Sequence, residues 1–215
     1  MPWSPVAGGN YRQMVAIHQM QSHRMHSRDG PIGTQRFLTW HRVYLSALQA
    51  WIRTQYNPNF FIPYWNWVEN PSIPSRLENF TPLIVVPDTE TVPPTSSSYQ
   101  SIYVYRNPGE QGFLPTQGYI DYLFTNNHEY TDFTLYLEWL HNNVHAWVGG
   151  TMSIIDTFPA DPLFWLHHAN IDRIWSIWQK DNPNQNPILS APDQVMDPWP
   201  STEPMWRIDP TSEYV

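Results

Sequence analysis

Cysteine is absent from this chain of 215 residues. A disulfide framework is therefore excluded, and cysteine usage leaves no trace of the redox compartment. Basic residues are scarce: 11 Lys and Arg against 19 Asp and Glu give a formal charge of -8. Nucleic acid needs a basic surface to meet its phosphates, so that partner is set aside. No apolar run is long enough to cross a bilayer, and the opening MPWSPVAGGN lacks the basic and apolar regions of a secretory leader. The expectation is a cytoplasmic protein with no membrane partner, or a secreted one if a leader was removed.

What the chain does have is aromatic bulk. Twelve Trp, twelve Tyr and nine Phe supply core material for a site that must stay dry. Trp40, Trp147 and Trp165 are read as packing residues. The length suits one well-buried domain over 1–215, with its core at 10–180 and a proline-rich wrap over 181–215. Pro58, Pro63, Pro71 and Pro74 surround the apolar stretch FFIPYWNW, so 57–76 is expected to lie extended over that core. Residues 81–118, with six prolines and the run TVPPTSSSYQ, read as loop with short strands near Ser101–Arg106.

Six histidines fall in two groups: His18, His26 and His41 early, then His141, His145 and His168 late. Apolar residues over 131–148 recur at helical spacing and stop at Gly149-Gly150. His141 and His145, four apart, share one face of that helix and can hold one ion. Asp161 is a good N-cap and Pro162 a good first residue for a second helix, which delivers His168 as a third ligand. Asp172, one turn on, is placed to hold the imidazole of His168 by accepting its hydrogen bond. His167 points about 100° away from its neighbour, so it reads as packing around the site. A zinc protease needs a glutamate directly after the first histidine of such a pair. Asn142 stands there, and that class is excluded.

The strings His141-Asn142-Asn143-Val144-His145-Ala146-Trp147-Val148-Gly149-Gly150 and Asp161-Pro162-Leu163-Phe164-Trp165-Leu166-His167-His168-Ala169-Asn170-Ile171-Asp172-Arg173 resemble the copper B half of the tyrosinase and catechol oxidase family. Phe37-Leu38-Thr39-Trp40-His41-Arg42-Val43-Tyr44 resembles its copper A helix, with Thr39 where a proline is usual. The resemblance runs from Tyr11 to Trp178. It implies a type 3 centre of two copper ions that binds dioxygen and oxidises small phenols, by hydroxylation or by converting catechols to ortho-quinones. It also implies a possible copper-delivery helper protein, and it leaves the oligomeric state open.

His18 matches the family's first copper A ligand and His41 its third. The second usually lies nine residues before the third, a position held here by Ile32, which cannot bind copper. His26 or His23 replaces it, or both are solvated loop histidines and copper A keeps two protein ligands. His23 is expected on the helix of His18, turned about 140° from that ligand. His26 lies in a segment, Met25 to Gly33, whose Ser27, Asp29, Gly30, Pro31 and Gly33 favour an irregular loop able to fold back. His26 is therefore the choice, with His23 as alternative. Some relatives cross-link a cysteine to a copper A histidine, which this chain cannot do.

In the family a glutamate shortly before the first copper B histidine holds a water together with the asparagine after it, and the water serves as base. Asn142 matches the asparagine. Glu138 is the candidate carboxylate, with Asp132 as alternative and an exposed, solvated carboxylate as the plain reading. Ala146 leaves open a spot that some relatives fill with a larger residue.

The predicted architecture is mainly α, a four-helix core with long Pro-rich loops. Helices near 10–24, 34–56, 131–148 and 162–180 turn their histidines inward. An imidazole shell poor in carboxylate suits copper and disfavours di-iron chemistry. An oxygen carrier and a zinc-loaded relic remain the alternatives to a phenol oxidase.

Overall fold

The computed structural model describes residues 11–87 and 99–199. Most of the run TVPPTSSSYQ and the tail beyond 199 lie outside the described residues. Helices α1 (Tyr11–Gln19), α2 (Gly30–Gln55), α3 (Ser75–Glu78), α4 (Gln117–Asn126), α5 (Tyr130–Val148) and α6 (Pro162–Asp181) follow in order, with strands β1 (Leu83–Pro87) and β2 (Tyr99–Tyr103) between α3 and α4. Among the described residues no helix is long and apolar enough to cross a membrane.

The mainly α fold is as expected, and α5 and α6 fall where pattern and caps put them. Asp161 caps α6: its Oδ1 accepts the amide of Leu163 at 2.8 Å, and Pro162 occupies the first helical position, where the missing N–H costs nothing. The buried Asp161 carboxylate is paired, with Arg106 forking onto both oxygens at 2.6 Å. At the other end of α5 the backbone turns out through Gly149 at φ +67°.

The early helices depart from expectation. α1 stops at Gln19, the chain tightens into a 3-10 turn at Gln21–His23, and Arg24 adopts φ +46°. His23 is thus off the helix of His18. α2 begins at Gly30 rather than 34, since Pro31 in its first turn starts a helix instead of breaking a loop. α4 has no counterpart in the sequence reading; only Ile120 and Leu123 on it are buried, too few to show a period.

Helices α1, α2, α5 and α6 share one apolar core, in which Met14, Phe37, Tyr44, Leu137, Val144, Phe164 and Trp175 are nearly inaccessible. Phe133 of α5 stacks on Trp178 of α6 at 4.3 Å. Segment 57–74 holds no regular element and lies along α6: Trp65 N–H donates to the Leu166 carbonyl at 3.0 Å, and the Trp67 indole to His167 Nδ1 at 3.1 Å. β1 and β2 pair antiparallel, Leu83 opposite Tyr103. Residues 188–199 run back over α2. Gln35 accepts the Ile188 amide at 2.8 Å, Arg36 donates to the Val195 carbonyl at 3.0 Å and Trp40 to the Asp197 carbonyl at 2.8 Å.

Candidate metal centre

Each early histidine comes from a different piece of backbone: His18 from α1, His41 from α2, and His26 from the residue preceding the 3-10 turn Ser27–Asp29. His141 and His145 come from α5, His168 from α6. In each trio one nitrogen per ring lies within 4.8 Å of the others, and all six rings are buried. The trios meet where the His41 ring stacks on the His168 ring, centroids 4.4 Å apart and planes 17° from parallel.

The backbone sets which nitrogen is free. His41 Nδ1 is 2.7 Å from the Phe37 carbonyl and His145 Nδ1 is 2.7 Å from the Met152 carbonyl. A carbonyl only accepts, so Nδ1 carries the proton and Nε2 keeps its electron pair. His141 Nδ1 likewise faces Asn142 Oδ1 at 3.1 Å, and its Nε2 lies 3.0 Å from His168 Nε2. The Nε2 atoms of His18, His26, His41 and His145 are buried with no hydrogen-bond partner. Orphaned buried nitrogens of this kind are costly unless something accepts their electron pairs. Burial holds all six imidazoles neutral: it lowers His41 to about 4 and His145 to about 3. His18, His26, His141 and His168 are pushed well below the usual range by burial first and neighbouring imidazoles second. Six neutral nitrogen donors without a carboxylate among them fit a pair of copper ions.

Of the two candidates, His26 joins the early trio. His23 is buried apart from it, stacked on Trp40 at 5.8 Å and 27°. Ile32 is half-buried in the first turn of α2. His167 stacks on His141 at 4.9 Å and 14°, and accepts from Trp67. Phe158 lies on the His145 ring at 4.0 Å and faces His18 at 6.0 Å, a contact with no sequence signal. The carbonyls of Phe37 and Met152 are equally silent, since any residue carries one.

One expectation is corrected. Asp172 does not hold His168, whose Nδ1 has no hydrogen-bond partner. Arg42 reaches from α2 and takes the carboxylate instead, Nε to Oδ1 2.6 Å, because a buried guanidinium needs that charge more than a neutral imidazole does. Ala146 is half-buried, with Gly112 packed beside it: a methyl at Gly112 would fall 2.7 Å from the Ala146 Cβ.

Glu138 is buried rather than solvated, and the Ser27 amide donates to its Oε1 at 2.9 Å and Oε2 at 3.1 Å. Burial raises its carboxyl to about 7, against the lowering effect of the Ser27 hydrogen bonds. Asn142 is exposed beside His141, and Asp132 is exposed near the start of α5.

Two facing trios of neutral imidazoles in a helical core define a dinuclear copper protein of type 3. The family model for the common central domain of tyrosinase matches residues 8–113 and 104–181. The chain belongs to the tyrosinase family. It is 32% identical to a tyrosinase of Streptomyces lincolnensis over 215 residues, covering 83% of this chain and 77% of that protein. It is 29% identical to a G-type hemocyanin of Enteroctopus dofleini over 188 residues, 80% of this chain but 6% of that protein's length. The fold matches a functional unit from octopus hemocyanin with TM-score 0.53 and 23% identity, over 80% of this chain and 51% of that one.

Proposed function

We propose that the chain, loaded with two copper ions, oxidises small phenols with dioxygen, hydroxylating monophenols at the ortho position and converting catechols to ortho-quinones. The observation that carries this reading is the meeting of six buried neutral imidazoles, four of which keep an Nε2 with no hydrogen-bond partner. His18, His26 and His41 would hold one ion; His141, His145 and His168 the other. Bound copper supplies dioxygen binding and takes up the electrons of the phenol. Each catechol gives up two electrons and two protons, so one dioxygen reduced to two waters balances two catechols.

The chain's own groups do the rest. Phe37 and Met152 carbonyls hold the rings of His41 and His145 in one tautomer, and the aromatic packing of Phe158 on His145 and of Phe164 on His168 keeps bulk water off the cluster. Glu138 is the base, taking the phenolic proton through a water held jointly with Asn142. A carboxyl raised to about 7 supports this role, because a base works best with its pKa near the working pH.

The hemocyanin relatives favour a second reading, reversible oxygen binding without turnover. Oxygen uptake by the copper-loaded chain separates the two, first with tyrosine and then with a catechol. Turnover supports the oxidase, reversible uptake alone supports the carrier, and failure to bind two copper ions per chain sinks both.

A further inference from the structure

His26 supplies its imidazole from a loop, where an unrestrained backbone would not hold a ring in place for a metal ion. Its backbone is restrained on every side. The His26 amide donates to Asp29 Oδ2 at 3.1 Å, the His26 carbonyl accepts the Asp29 amide at 2.9 Å, and the next amide, of Ser27, donates to Glu138. Beneath that carbonyl lies the first turn of α2, where Gly33 presents no side chain. A methyl at Gly33 would fall 2.0 Å from the His26 carbonyl oxygen and 2.9 Å from the Asp29 Cβ. Space decides the residue here: only glycine lets the loop sit down on the helix.

We propose that Gly33 and Asp29 are positioning residues for the copper A ion, seating the backbone of His26 on α2 so that its imidazole meets those of His18 and His41. The proposal rests on the reading of His18, His26 and His41 as copper ligands. A helix effect does not mimic it, because alanine is the better helix former and Gly33→Ala strengthens α2 on propensity alone.

The test is copper binding by chelator competition, with electron paramagnetic resonance, on Gly33→Ala, Asp29→Ala and Asp29→Asn. His26→Ala is the reference and Gly118→Ala the control, since a methyl at Gly118 meets nothing nearer than 3.8 Å. Gly33→Ala and Asp29→Ala are expected to bind one of the two ions about 10- to 100-fold more weakly, the range for groups that orient a ligand. The other ion stays, and at one ion per chain the spectrum is that of an isolated cupric ion. Asp29→Asn keeps an acceptor oxygen for the His26 amide and recovers most of the affinity. A merely weakened fold would lower the melting temperature without separating the two sites. If Gly33→Ala does not fold, the Asp29 pair decides. Wild-type affinity for both ions in Asp29→Ala and in any folded Gly33→Ala overturns the proposal. Both ions retained in His26→Ala sinks the ligand reading and the proposal together. One ion lost in His26→Ala and none in the others sinks the proposal alone.

Discussion

Arg42 and Asp172 form a buried ion pair at 2.6 Å that ties the residue after His41 to the residue one turn beyond His168. Arg42 also donates to Gln179 and Ser176 and lies over the Trp175 ring at 3.6 Å. Removing one partner strands the other charge. Asp172→Ala should cost about 3–5 kcal/mol, whereas replacing both residues by leucine should cost less than the single change. Urea denaturation of the three chains measures this, and an unchanged midpoint in Asp172→Ala means the pair contributes nothing.

His168→Ala should remove the copper B ion and all oxidase activity. Copper content and oxygen uptake are the measurements. Full turnover in this variant rules out the proposed site.

Glu138→Gln should depress monophenol hydroxylation more than catechol oxidation, since the role proposed for Glu138 is to take the proton of the incoming monophenol. The carboxyl lies at about 7 and must be ionised to act, so monophenol turnover in the parent chain should rise as pH increases through 7. The rise should vanish in the variant. Equal losses on both substrates, or a surviving rise, remove Glu138 from the role of base.

The copper-free protein should weaken in acid. Imidazoles whose folded pKa is depressed, such as His41 at about 4 and His145 at about 3, stay neutral in the fold while the unfolded chain takes up protons below about 6.5. Stability is therefore whole above pH 6.5 and lost as pH falls towards 4. The slope is about 1.4 kcal/mol per pH unit for each histidine that titrates only when unfolded. Denaturation midpoints at pH 7, 6 and 5 test it, and a flat profile contradicts neutral burial of the cluster.

The late half was legible because its signals are local. Asp161 and Pro162 announce a helix start, Gly149-Gly150 an end, and the spacing of His141 and His145 a shared face. The early half depends on contacts distant in sequence. Gly30 and Pro31 look like loop residues until Asp29 and the 3-10 turn before them are in place, and the backbone beside His26 is tied to α5 by the Ser27 amide on Glu138, a contact 111 residues away in sequence. Asp172 was misread because helical spacing shows which groups share a face but not which competitor reaches them first; Arg42 lies 130 residues away. Helix α4 was missed because it buries too little to leave a pattern.

The family match ends at residue 181, yet two buried donors of the copper A helix are satisfied beyond it, Arg36 by Val195 and Trp40 by Asp197. A fragment trimmed to the matched boundary would strand a guanidinium and an indole against a bared aromatic surface. Residues 188–199 thus carry part of the packing of α2 from a stretch that the family match omits.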